Sequence, residues 1–236
     1  MPARPHFNFP GIPHIIHKST KHQQPCFFVD KDYLHYLEIL QSCSDEYQCH
    51  IHAYALMPDS IYLLATTHSS NGLANMMQSS SSRYVSYVQK TYAITDSLWG
   101  GGYKSCLLEC ESYLLSCMRY VEQMPARENI TAKKGLAEFE EYRWSSYLYN
   151  ATKQADSLIT PHSIYLELSR DEKSRLKAYK ELLKTPLAEQ LVSEINEALN
   201  NGTVLGSQAF KDKIKEHLSG ATGKSDDECF DCVMFY

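Results

Sequence analysis

Residues 50–66, HIHAYALMPDSIYLLAT, admit few folds. Two runs rich in apolar, aromatic and β-branched side chains flank a Met-Pro-Asp-Ser turn, which is the pattern of an antiparallel hairpin. A fold built on this hairpin needs helices packed against its sheet. The flanking sequence supplies them. "IPHIIHK" (12–18) follows Pro10-Gly11 and predicts a first strand. "DKDYLHYLEILQSCSDEY" predicts a helix with Asp30 as its N-cap. "NGLANMMQSSSSRYVSYVQKTY" (71–92) predicts a second helix, although Ser79 to Ser82 are weak helix formers. "GGGYKSCLLEC" (100–110) supplies a glycine turn and a fourth strand, and "ESYLLSCMRYVEQMP" (111–125) a third helix ended by Pro125. The order β-α-β-β-α-β plus a helix predicts an α+β fold, a ferredoxin-like antiparallel sheet with packed helices.

Strand alternation puts Ser60 and Tyr62 on one face of the hairpin's second strand, with Asp59 at the turn. Helical spacing puts Tyr113, Cys117, Tyr120 and Met124 on one face of the third helix. By the same alternation His50 and His52 share a face, whereas His14 and His17, three apart in a strand, point to opposite faces.

After "EYRWSSYLYN" (141–150) the polar run "ATKQADS" marks a boundary between a domain at 1–150 and a helical extension at 151–219. Residues 163–184, 186–200 and 207–219 predict three helices, the last two joined by "NNGTVLGS", a spacing compatible with a helix-turn-helix or with a helical cap. Residues 220–236 form an acidic tail, one lysine against four acids, expected to be mobile.

Charge limits the partners. Residues 1–150 hold 12 of the 23 Lys and Arg against 14 of the 28 Asp and Glu, and the rest of the chain 11 against 14. Neither part is basic, so affinity for DNA through phosphate neutralisation is expected to be weak. No run approaches the roughly 18 to 20 apolar residues of a membrane span, and the N-terminus lacks a signal-peptide core, so a cytoplasmic location without membrane contact is expected. The eight cysteines are scattered through apolar patterns and read as reduced thiols, Cys229 and Cys232 included. A glycine-rich phosphate loop, a G-x-S-x-G elbow and an H-E-x-x-H helix are all absent.

Six stretches in register, "PHFNFPGIPHIIHKSTKHQQPCFF", "IHAYALMPDSIYLL", "LANMMQSSSSRYVSYVQKTY", "SLWGGGYKS", "YLLSCMRYVEQMPAREN" and "EYRWSSYLYN", resemble the REP-associated tyrosine transposases of the single-tyrosine HUH (His-hydrophobic-His), IS200-like group. The resemblance covers about residues 5–150, and "LITPHSIYLELSRDEKSRLKAYKELL" resembles the extension of one subgroup. It implies a sheet that presents two histidines to Mg²⁺ or Mn²⁺. The metal polarises a phosphate of single-stranded DNA, and a helix-borne tyrosine attacks it to give a 5′-phosphotyrosine and a free 3′ hydroxyl.

By this resemblance the nucleophile position falls on Tyr120 and the histidine positions on Ser60 and Tyr62; a further ligand position, an amide in relatives, falls on Met124. A hydroxyl, a phenol and a thioether are poor ligands for these ions, so no metal or other cofactor is expected. Gly102 stands where relatives have an arginine, and "MPAREN" replaces their Asn-Pro-Val-Arg-Ala-Gly, keeping Arg127. The remaining cations proposed for DNA are Arg83, Lys90, Lys104, Arg119 and Arg127. If all five met phosphates, log K would fall with log salt with a slope of about −4 to −5. The expectation is a transposase-like protein that binds single-stranded or hairpin DNA weakly and has lost transesterification. Two alternatives stand beside it: an active DNA-nicking enzyme using Tyr120 in a rearranged site, and a protein-interaction module on the same scaffold. Relatives include monomers and dimers, so the oligomeric state stays open.

Overall fold

A computed structural model of the protein describes residues 9–131 and 136–220. Strand β1 (Pro13–Ser19) leads through a 3-10 turn at Lys21–Gln23 to α1 (Asp30–Glu46). There follow the hairpin β2 (Cys49–Met57) and β3 (Ser60–Thr67), then α2 (Gly72–Tyr92), β4 (Lys104–Leu108) and α3 (Cys110–Glu122). The sheet order is β2-β3-β1-β4-β5, with β1 antiparallel to both β3 and β4. Four of its five strands thus form the predicted α+β, ferredoxin-like arrangement.

Ile15 and Ile16 of β1 are both fully buried, because each face of the sheet carries its own core. One core packs α1 and α2 against Ile16, Leu56, Ile61 and Leu63. The other packs α3 against Ile15, Ala55, Met57, Tyr62 and Leu64. Pro58 and Asp59 make the two-residue turn that sets Met57 opposite Ser60, and this register brings His17 opposite Tyr62 and Ser19 opposite Ser60.

Helix α3 stops at Glu122, capped at Gln123, and a separate turn, α4 (Met124–Arg127), carries Pro125. Proline has no N–H to continue the earlier ladder, so the chain restarts rather than extends. Helix α1 is capped one residue earlier than expected, at Val29; Asp32 reaches back to accept the N–H groups of Phe28 (2.8 Å) and Val29 (3.0 Å).

The chain continues through α5 (Leu136–Glu141), α6 (Tyr147–Thr152), α7 (Ser163–Glu167), α8 (Glu172–Lys184), α9 (Glu189–Asn201), β5 (Val204–Leu205) and α10 (Gln208–Gly220). Residues 163–184 are two helices, because Asp171 caps α8 by accepting the Ser174 N–H at 2.8 Å. "NNGTVLGS" does not join a helix-turn-helix: Val204 and Leu205 pair in parallel with Leu107 and Leu108 and extend the sheet at β4. The core under α3 takes in Tyr165, Tyr179, Leu183, Ile195 and Leu199, so residues on both sides of position 150 share it. The acidic tail with Cys229 and Cys232 lies outside the described residues. Among those described, six cysteines are free and no helix is long and apolar enough to cross a membrane.

Candidate functional site

Strand alternation turns Ser60 and Tyr62 toward α3, and the wheel of α3 turns Tyr120 back toward the sheet. Tyr62 stacks on His17, its cross-strand partner, at 4.3 Å between ring centroids and 13° between planes. Tyr120 meets Tyr62 edge-on at 6.2 Å and 73°. Met124, 7% exposed, joins the same cluster. The four positions singled out from the sequence therefore lie together on the α3 side of the sheet.

Their chemistry is that of a closed site. Tyr120 is only 2% exposed, and its hydroxyl donates to Asn196 Oδ1 of α9 at 2.6 Å. Burial pushes its pKa up to about 12, a shift partly offset by the positive charge of Arg127. Burial also raises Tyr62, with the neighbouring Tyr120, Glu128 and Asp59 adding to the effect. Neither phenol is poised as a phenolate at neutral pH, and the Tyr120 proton is held on the Asn196 amide oxygen.

Ser60, Tyr62 and Met124 offer a hydroxyl, a high-pKa phenol and a thioether, a poor donor set for Mg²⁺ or Mn²⁺. Among the described residues, no group of three or more His, Cys, Asp or Glu side chains is arranged to hold a metal ion.

The five cations divide between the two faces. Arg83 and Lys90 sit on α2, across the sheet from Tyr120, and Arg83 is paired with Glu46 at 2.5 Å. Lys104, Arg119 and Arg127 lie on the Tyr120 side, and each is met by a residue from 185–200: Lys104 donates to Asn200 Oδ1 at 2.7 Å, Arg119 to the Thr185 carbonyl, and Arg127 pairs with Glu189 at 3.7 Å. Glu194 adds a bond from the Tyr113 hydroxyl at 3.1 Å. Sequence reading missed these partners. The one available signal was the apolar stripe Val192, Ile195, Leu199 of α9, which has to bury itself and brings its polar flanks along.

Glu122 was also missed. It is 1% exposed and accepts from Ser146 Oγ (2.6 Å), Asn150 Nδ2 (2.7 Å) and the Tyr179 hydroxyl (2.8 Å), tying α6 and α8 to α3.

His50 and His52 flank Ile51, with a β-bulge between Ile51 and Ala53, and they differ in burial. His52 is buried between the Thr160 carbonyl (2.7 Å) and Thr66 Oγ1 (2.8 Å). His50 is exposed and faces His68 instead, at 3.1 Å between ring nitrogens. His14 is buried and His17 half-buried.

Fold and site together define an α+β protein in which a tyrosine-bearing helix crosses the strand pair of a ferredoxin-like sheet. Residues 12–124 match the family model described as transposase IS200-like. The fold is shared with a REP-associated tyrosine transposase solved with a REP hairpin, at 7% identity and a TM-score of 0.50 over 69% of this chain and 93% of that one. A protein from Deinococcus radiodurans R1 described as a transposase also matches, at 18% identity and a TM-score of 0.36 over 52% of this chain and 97% of that one. No curated protein matches the chain.

Proposed function

We propose that this protein is a DNA-binding relative of the REP-associated tyrosine transposases that recognises a single-stranded or hairpin DNA weakly and does not cleave it. One observation carries the reading: the Tyr120 hydroxyl donates to the Asn196 amide oxygen beside Ser60, Tyr62 and Met124, so the family's nucleophile position has neither its metal ligands nor a base to take its proton. The hairpin in the related structure supports the class of DNA. Single-stranded DNA lying along α3 meets Lys104, Arg119 and Arg127, but not Arg83 or Lys90 beyond the sheet. Three phosphate contacts give a slope of log K against log salt of about −2 on a single strand and about −2.7 on duplex, shallower than five would give.

Fluorescence anisotropy with a labelled hairpin at several salt concentrations measures this slope, and a denaturing gel in Mn²⁺ tests for nicking. Weak, salt-sensitive binding without nicking is the expected result. Nicking that disappears in Tyr120→Phe would establish the active alternative. A second reading, a protein-interaction module, draws on the capture of Lys104, Arg119 and Arg127 by residues 185–200; it predicts no hairpin binding at any salt concentration.

A further inference from the structure

A pocket of about 520 Å³ lies between the end of α1, the start of β2 and residues 157–160, with Gln41, Asp45, Cys49, His50, His68 and Thr160 in its wall. We propose that it binds one late first-row transition ion, of the Ni²⁺, Cu²⁺ and Zn²⁺ class, through His50 Nδ1 and His68 Nε2, with water filling the remaining positions.

The placing of the two rings carries the proposal. Register pairs His50 with Thr66, so His68 is its diagonal neighbour across the hairpin. The backbone N–H of His68 donates to the Gln48 carbonyl at 3.2 Å, which ties the residue after β3 to the residue before β2. The ring nitrogens stand 3.1 Å apart. Two nitrogens each about 2.0 to 2.1 Å from one ion, at an angle between square-planar and tetrahedral, stand about 2.9 to 3.4 Å apart. A hydrogen bond alone accounts for the pose less well. A straight N–H···N bond would separate the ring centroids by the nitrogen distance plus both ring radii; at 4.5 Å, with planes 62° apart, they are about 1 Å closer than that. The nitrogens therefore do not point straight at each other, and an ion beside them takes a lone pair from both.

The surroundings agree in sign. Among the described residues the wall holds one carboxylate, Asp45, and no lysine or arginine. The Gln41 amide nitrogen donates to both Asp45 oxygens at 3.1 Å, while the Gln41 carbonyl oxygen is buried with no partner in the protein. Buried polar atoms are paired in the great majority of cases, and a water on the ion supplies the missing donor. Burial, and then His68, lowers the His50 pKa, so its ring offers a lone pair at neutral pH.

Donor type selects the ion. Among the described residues no third His, Cys, Asp or Glu joins the pair, so the site is not a closed zinc cage. Two imidazoles suit nickel, copper and zinc, copper most tightly, whereas Mg²⁺ and Mn²⁺ favour oxygen. Tyr62 lies about 20 Å away along β3, so the ion is separate from the Tyr120 cluster and fastens the open end of the hairpin. Because it does not involve DNA, hairpin binding and ion binding succeed or fail separately.

Nickel is the probe, because Cu²⁺ oxidises thiols and the chain has eight cysteines. Calorimetric titration of the full chain at neutral pH should show Ni²⁺ binding with half-saturation at about 100 µM or below. About 1 mM Ni²⁺ should then raise the melting temperature by about 3 to 6 °C. His50→Ala and His68→Ala should each weaken binding about tenfold or more and remove the melting shift. Both side chains are exposed, and melts without metal show whether the variants are folded. Replacing Cys229 and Cys232 together with serine should leave the histidine-dependent binding in place, and about 10 mM Mg²⁺ should not displace the ion. The proposal is overturned if the wild-type chain binds no Ni²⁺ at about 1 mM, or if either histidine variant binds and melts as wild type does. It is equally overturned if the serine pair abolishes the binding or if Mg²⁺ displaces the ion.

Discussion

Replacing Glu122 with leucine is expected to destabilise the protein by about 3 to 5 kcal/mol, since the donors on Ser146, Asn150 and Tyr179 all lose their common acceptor and each orphaned group costs about 1 to 3 kcal/mol before relaxation. For a chain of this length that is a fall in Tm of about 6 to 20 °C. Glu122→Gln keeps one carbonyl oxygen and most of the volume, so its cost at low pH should be smaller. The two variants separate packing from charge. Burial raises the Glu122 carboxyl from 4.5 to about 7, against the opposing pull of its three donors. Below pH 4.5 the group is protonated in both folded and unfolded chains. Above it, the unfolded chain releases the proton first, so the stability contribution is lost as pH rises through about 7, up to about 3 kcal/mol in total. His52 works in the opposite direction. Burial lowers its pKa to about 3, so its contribution is lost as pH falls below 6.5. Thermal melts of wild type and Glu122→Gln from pH 4 to 9 therefore isolate the carboxylate: their difference should shift in favour of the glutamine variant as pH rises. Parallel curves would show that the three donors hold Glu122 ionised throughout.

The sheet was legible because its signals are local. Period two in residues 50–66, a Pro-Asp turn and apolar helices of the right length on either side leave little freedom in strand order. The positions of Ser60, Tyr62, Tyr120 and Met124 followed from the same alternation and wheel, combined with the family resemblance. What escaped notice depends on partners distant in sequence. Val204 and Leu205 are too short a run to predict a strand, and they become one because β4 offers its edge. A β-bulge falls between Ile51 and Ala53, and nothing in "HIHAY" announces it. Glu122 reads as an exposed helix residue until α6 and α8 close over it. Asn196 lies 76 residues from Tyr120, and no local pattern links an asparagine on one amphipathic helix to a tyrosine on another.

Converting Ser60 and Tyr62 to histidine together with Met124→Asn is expected to create a Mn²⁺ site about 100-fold tighter than any in the unmodified chain. Alternate positions on β3 place the two imidazoles about 6 to 7 Å apart along a rigid central strand, close enough to converge on one ion, and the asparagine adds an oxygen from α4. Replacing the Tyr62 ring leaves unfilled volume against His17, so the triple variant should lose about 1 to 3 kcal/mol of stability. Metal alone should not restore cleavage. The Tyr120 hydroxyl stays on Asn196, and Arg127 stays paired with Glu189, so the nucleophile and a phosphate-binding cation both remain engaged by α9. Adding Asn196→Ala releases the Tyr120 hydroxyl to turn toward a phosphate, and a covalent DNA adduct that vanishes in Tyr120→Phe should appear only in that fourfold variant. An adduct formed by the unmodified protein would mean that Tyr120 already has a working electrophile, and the active-enzyme reading would replace the one proposed above.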